Sequence, residues 1–150
     1  MSVGTKSQIL DASDALKASL SELGTKRYFS PDSTLFREDG NCVGVFLVVT
    51  GKVRLSVRSL PRLDRVFSGG SLLGLPSTFT GHPYSLTATV VADAEIVHVT
   101  QEEFVGLMRE RPELCREATE MLGREVTFIQ SALAQRRKEA ATSRFPLTMA

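Results

Sequence analysis

The spacing of apolar positions along the chain changes twice. Ile9, Ala12, Leu16, Leu20 and Leu23 recur at steps of three and four, one face of a helix, so residues 5–23 are expected to form an amphipathic helix ending at Gly24. From Lys26 to about Thr100 the spacing shortens. Short β-rich runs (YF, TLF, VGVFLVV, KVRLSV, RVF, SLTATVV, AEIVHV) are separated by Pro31-Asp32, Asp39-Gly40-Asn41, Thr50-Gly51, Gly69-Gly70 and Gly81-His82-Pro83. In Lys52–Arg58, strict alternation puts Val53, Leu55 and Val57 on one face and polar residues on the other, as in a half-buried strand. The spacing predicts an antiparallel sandwich or barrel.

Helical spacing returns after Thr100. Thr100-Gln101-Glu102-Glu103 has the form of a capping box ahead of Phe104, Leu107 and Met108, and Pro112 suits the first turn of a further, long helix. Along that helix Ala118, Leu122, Val126, Ile129 and Leu133 make one stripe, and Leu114, Met121 and Phe128 make a second beside it. One stripe suits the β-domain and the other the same helix of a second subunit, with Leu114, Met121 and Phe128 as the expected dimer contacts; a helix buried deeply in its own domain is the alternative. The basic run Arg136, Arg137, Lys138 and Arg144 reads as a solvated C-terminal turn rather than a nucleic-acid patch, because cations suit the negative end of a helix dipole. The expected organisation is one domain: a helical segment over 1–24, a β-roll over 25–100, a capped short helix plus a long helix over 101–141, and a flexible tail over 142–150.

Composition narrows the function. At 150 residues the chain suits a single core, and 42% hydrophobic with 23% charged residues is an ordinary globular mix. A net charge of +1 gives no general basic footprint for nucleic acid. Two cysteines, Cys42 and Cys115, are too few for a disulfide framework, an iron–sulfur cluster or a four-ligand zinc site within one subunit. No apolar run of about 18 residues is present. A cytoplasmic protein that does not span a membrane is expected.

The run Phe46-Leu47-Val48-Val49-Thr50-Gly51-Lys52-Val53-Arg54-Leu55 resembles the hairpin of cyclic-nucleotide-binding domains, the sensor module of catabolite-activator and FNR-type regulators. Gly70-Ser71-Leu72-Leu73-Gly74-Leu75 is similar to the start of that family's phosphate-binding cassette, and Ser85-Leu86-Thr87-Ala88-Thr89-Val90 to its end. The resemblance covers roughly residues 8 to 135. It implies a mainly β fold, a double-stranded β-helix or jelly-roll-like β-roll with an N-terminal helix and a long C-terminal dimerisation helix. It also implies a ligand site at Gly70, Leu73, Gly74, Leu75, Ser77, Ser85, Leu86, Thr87 and Ala88, with Thr127 on the long helix reaching toward a base.

The cassette departs from the family pattern at both charged positions. Where the family places Glu on the ribose hydroxyl there is Leu75; where it places Arg on the cyclic phosphate there is Ser85 or Leu86, depending on a one-residue gap. Without that cation a phosphate relies on backbone N–H groups, which forfeits a charge-assisted pair. His82 is the nearest candidate cation in sequence, and it reads more simply as a solvated loop residue. A cupin-like metalloenzyme shares the β-roll outline, but the chain offers only His82 and His98, and no nucleophile elbow, P-loop or zinc-helix motif occurs. Members of the family continue into a helix-turn-helix, whereas this sequence stops at Ala150, so direct DNA reading is not expected. The expectation is a non-enzymatic, dimeric sensor or regulatory domain without a cofactor. Its candidate ligand is a cyclic nucleotide or another small anion, a genuine cyclic AMP or GMP receptor is the alternative, and its output goes to a second copy or a partner protein.

Overall fold

Two long antiparallel strands organise the molecule. The computed structural model describes residues 9–149, apart from the side chains of residue 62 and residues 142–149. The order is α1 (Asp14–Leu23), β1 (Thr25–Phe29), β2 (Thr34–Phe36), β3 (Val45–Ser56), a 3-10 turn (Pro61–Leu63), β4 (Arg65–Ser68), β5 (Leu72–Leu73), α2 (Leu75–Thr80), β6 (Thr87–Val99), α3 (Gln101–Glu110) and α4 (Pro112–Met149). β3 pairs with β6 from Val45↔Val99 to Ser56↔Thr87. β1 and β2 add to β6, and β4 and β5 add to β3, all antiparallel. This is the mainly β roll with flanking helices that the resemblance implies, antiparallel as the strand spacing predicts.

The Thr50-Gly51 pair is not a turn. β3 runs straight through it, and the register against β6 shifts between Val48 and Val53. Gly51 has φ +96°, and a Cβ there would lie 2.4 Å from the Asp93 carbonyl oxygen, so only glycine lets the strand bulge and bend against its partner. The runs SLTATVV and AEIVHV likewise merge into the single strand β6, so among the described residues the roll has six strands, two of them long, rather than a series of short ones.

The core divides in two. Phe36, Phe46, Val53, Phe67, Leu73 and Tyr84 fill the roll with their neighbours. Outside it, Leu16 and Leu20 of α1, Leu75 of α2, Phe104 of α3 and Met121 of α4 pack against Val45, Leu47 and Val97. Outward strand faces therefore carry the helices.

α1 starts later than its apolar spacing suggests. Ala12 N–H donates to the Gly70 carbonyl (2.9 Å) and Asp11 bridges to Ser71, which holds these residues extended. Ser13 then caps the helix, its Oγ accepting from Leu16 N–H (3.1 Å) while its own N–H and Oγ donate to Glu117 of α4 at 2.7 and 2.6 Å. The expected helical residues 5–8 lie outside the described residues. Gly24 is extended (φ −88°), not left-handed, and a Cβ there would sit 2.6 Å from the His98 carbonyl oxygen; it allows the close approach of β6.

α4 also departs from expectation. Its helix runs to Met149, across the expected boundary at 141, because Lys138-Glu139-Ala140-Ala141 are strong helix formers and propagation adds a hydrogen bond per residue without needing an apolar stripe. Its inward face is rotated from the two stripes read in the sequence. Leu114 (2% exposed), Ala118 and Met121 (0%) are buried in the domain's own core, and Phe128 packs on the roll beneath the Arg65 guanidinium, 5.0 Å from the ring centroid. Leu114 and Met121 are thus unavailable as dimer contacts. Among the described side chains of this helix, Val126 and Leu133 are the exposed large apolar ones.

Candidate functional site

The cassette begins where the chain leaves β4. Ser71 lies just ahead of β5, whose Leu73 points into the roll core and whose Leu72 packs outside. Gly74 (φ +93°) turns the chain into α2 in the left-handed conformation that favours glycine. A Cβ there would meet the Gly44 carbonyl oxygen at 3.0 Å and the Tyr84 ring at 3.4 Å. The cassette turn is thus pressed against the β3 entry and Tyr84.

The hydroxyls of α2 are already committed, whereas the buried Ser71 Oγ ahead of β5 has no hydrogen-bond partner among the described residues. Ser77 Oγ donates to the His82 carbonyl, Thr78 Oγ1 donates to the Gly74 carbonyl (2.8 Å) and Thr80 Oγ1 donates to the Pro76 carbonyl (2.9 Å). Gln101 of α3 donates from Nε2 to the Thr78 carbonyl (3.1 Å), tying the helix from outside. Pro76 removes one amide from the first turn of α2, where an anion would be met. Thr87 Oγ1 accepts from Glu38 N–H (2.8 Å).

Tyr84 closes the inner side. Its ring stacks on Phe36 at 4.0 Å, and Phe36 in turn meets Phe46 at 5.6 Å. Its hydroxyl donates to the Gly44 carbonyl (2.7 Å) and accepts from Val43 N–H (3.0 Å). Burial pushes the phenol pKa up to about 12, against the opposing pull of the Val43 N–H. Tyr84 is therefore a neutral, hydrogen-bonded plug at physiological pH. Cys42 approaches Thr78 Oγ1 at 3.8 Å on the same side.

The residues expected at the ligand site fall in different environments. Leu73, Leu86 and Ala88 are roll-core side chains, and Leu75 belongs to the outer core. Ser77 is buried, Ser85 exposed, and Thr127 exposed on α4. Gly70 faces the first helix, where a Cβ would come within 4.0 Å of Lys17 Nζ. Of these residues Gly74 meets Tyr84, next to Thr78 and Cys42, while Ser77 turns to the His82 carbonyl. Tyr84 could have been suspected from its position straight after the Gly81-His82-Pro83 turn, but its partners Gly44 and Phe36 are brought to it by the fold alone.

His98 stacks on Phe46 at 4.7 Å and its Nε2 donates to the Val43 carbonyl (2.6 Å). His82 lies in the exposed turn after α2. Among the described residues no group of three or more His, Cys, Asp or Glu side chains is placed to hold a metal ion. No helix among them is long and apolar enough to cross a membrane.

Comparison with known proteins agrees with this architecture. Residues 26–111 match the family model of the cyclic nucleotide-binding domain. No curated protein matches the chain. Among solved structures, a protein from a cyclic-GMP-dependent signalling pathway that regulates bacterial phytopathogenesis superposes with a TM-score of 0.68 at 20% identity, over 81% of this chain and 96% of that one. The Thermus thermophilus catabolite activator protein gives 0.56 at 21% identity, over 91% of this chain and 60% of that one. The c-di-GMP responsive global regulator CLP of Xanthomonas campestris gives 0.61 at 15% identity, over 89% and 65%. This chain thus spans less than two thirds of those two regulators, and at such identities the likeness establishes the fold.

Proposed function

Because the chain belongs to the cyclic nucleotide-binding domain family, we propose that it is a non-enzymatic sensing domain whose cassette has diverged from cyclic-nucleotide recognition and whose output passes through α4 to a second copy of the chain or to a partner protein. One observation carries the reading. Leu75, which stands where the resemblance implies the ribose-binding Glu, is 0% exposed and packed in the outer core; of the two residues that could stand for the phosphate-binding Arg, Leu86 is 5% exposed and packed in the roll core, and Ser85 is exposed and uncharged. The cassette residues therefore do not fit a cyclic nucleotide. Neither a carboxylate nor a guanidinium stands at those positions, the hydroxyls of α2 are spent on backbone carbonyls, and Tyr84 occupies the inner side. The two free thiols, Cys42 and Cys115, suit a reducing cytoplasm.

A guanidinium–phosphate pair contributes about 1.5–3 kcal/mol, so its loss alone weakens binding roughly 10- to 150-fold. Cyclic AMP and cyclic GMP are expected to bind no tighter than high-micromolar by calorimetric titration. A sub-micromolar dissociation constant for either would sink the diverged-cassette reading and favour a genuine receptor using backbone donors.

Output through a second copy is supported by the spacing on α4. Val126 (39% exposed) and Leu133 (37%), seven residues apart and so on one face of the helix, lie open, while Leu122 and Ile129 beside them are partly buried against the domain's own cores. Val126→Asp is expected to convert a dimer to monomer in light scattering, since a charge on that face would be desolvated without a partner. A wild-type chain that is monomeric at high micromolar concentration would rule out the second copy.

A further inference from the structure

Glu125 is the one Asp, Glu, Lys or Arg among the described residues that is buried, at 2% exposure, and its Oε1 has no hydrogen-bond partner. Its place on α4 explains the burial. Met121 lies four residues before it, and Phe128 and Ile129 lie three and four after it, all on the inward face. The proximal half of α4 (Leu114, Ala118, Met121) is built into the outer core with α1 and α3. The distal half rests on the roll by a lighter set of contacts: Phe128 under Arg65, Ile129 and Ala132 against the roll core, and Arg136 donating to the Ser59 carbonyl. Glu125 stands at the junction between the halves.

We propose that Glu125 is a proton-linked latch: its neutral carboxyl lets the distal half of α4 lie on the roll, and loss of the proton favours release of that half. The charged groups of the neighbouring elements are engaged elsewhere. Arg124 on α4 donates to the Ile9 carbonyl, Arg65 of β4 lies over Phe128, Asp64 after the 3-10 turn pairs with Arg54, and Lys17 of α1 pairs with Asp14. Burial alone pushes the Glu125 carboxyl up to about 8 from its ordinary 4.5.

The sign follows from where the proton is held. The docked state keeps it up to about pH 8, whereas a released, solvated Glu125 loses it near 4.5. The released-to-docked ratio therefore rises about tenfold per pH unit between roughly pH 5 and 8, and levels off above 8. Hydrogen exchange, corrected for the intrinsic pH dependence of exchange, reads this directly. Protection across residues 122–135 is expected to fall about tenfold per unit over that range while β3 and β6 keep theirs. Glu125→Gln, neutral at every pH, should abolish the slope, and Glu125→Leu should do the same should the carboxamide variant fail to fold. A slope unchanged in a folded variant would overturn the proposal. So would a wild-type loss of protection shared equally by β3 and β6, because that marks global unfolding rather than a latch.

Discussion

Replacing Gly51 with alanine is expected to lower the urea midpoint of unfolding sharply. The residue sits in the bulge that bends β3, with φ +96°, and an added Cβ would lie 2.4 Å from the Asp93 carbonyl oxygen and 2.6 Å from the Ala94 Cα. Both obstacles are backbone of the paired strand β6, so neither can rotate away. A left-handed non-glycine residue costs about 1–2 kcal/mol and overpacking about 1–3, together about 3 kcal/mol or more. That is a large share of the 5–15 kcal/mol typical of a domain. Urea unfolding checks it, and a midpoint equal to wild type would mean that β3 does not run through this position. Gly123 on α4 supplies the contrast. Nothing lies within 4 Å of a Cβ added there, so Gly123→Ala should stabilise by about 0.8–1 kcal/mol through helix propensity.

Phe104→Ala is expected to cost about 3–5 kcal/mol, the range for emptying a buried aromatic site. Phe104 is wholly buried in the outer core and meets Phe79 of α2 edge-on at 5.5 Å. The capping box that starts α3 fixes its approach: Glu103 N–H donates to Thr100 Oγ1 (3.1 Å) and Thr100 N–H donates to Glu103 Oε1 (2.9 Å). Because Phe79 and the Gln101 contact together hold α2, the cassette helix should lose amide protection before β3 does. A loss below about 1 kcal/mol in denaturant would show that the cavity collapses without consequence.

Alternation and capping signals made much of this fold readable in the chain. Val53 and Leu55 are buried as their period-two spacing requires, and the Thr100 box caps α3 as its residues predict. Thr50-Gly51 misleads because a glycine at positive φ serves a tight turn and a bulge equally well; what separates them is the pairing with Asp93 and Ala94, far away in the chain. On α4, counting apolar residues hid the inward face, since Glu125 occupies its centre and a carboxylate is ordinarily assigned to solvent. The signal was present as a charge flanked at three and four residues by Met121, Leu122, Phe128 and Ile129. At the cassette, the missing charges at Leu75 and at Ser85 or Leu86 were visible in the sequence. The way Tyr84, Gly44 and Phe36 close its inner side was not, because that contact joins three segments brought together only by the roll.

The pairing of β3 with β6 bears on how the chain is made. Val45 opposite Val99 and Ser56 opposite Thr87 mean that the longest strand pair can zip only after everything between them has been synthesised. At the usual pace of about 5–20 residues per second, the apolar start of β3, Val45–Val48, waits several seconds on the ribosome for its partner. Through that interval it is an open, adhesive edge, and pairing of such high sequence separation is slow once it can begin. Yield in a living cell should therefore depend on translation speed and chaperone supply more than the stability of the finished molecule would suggest.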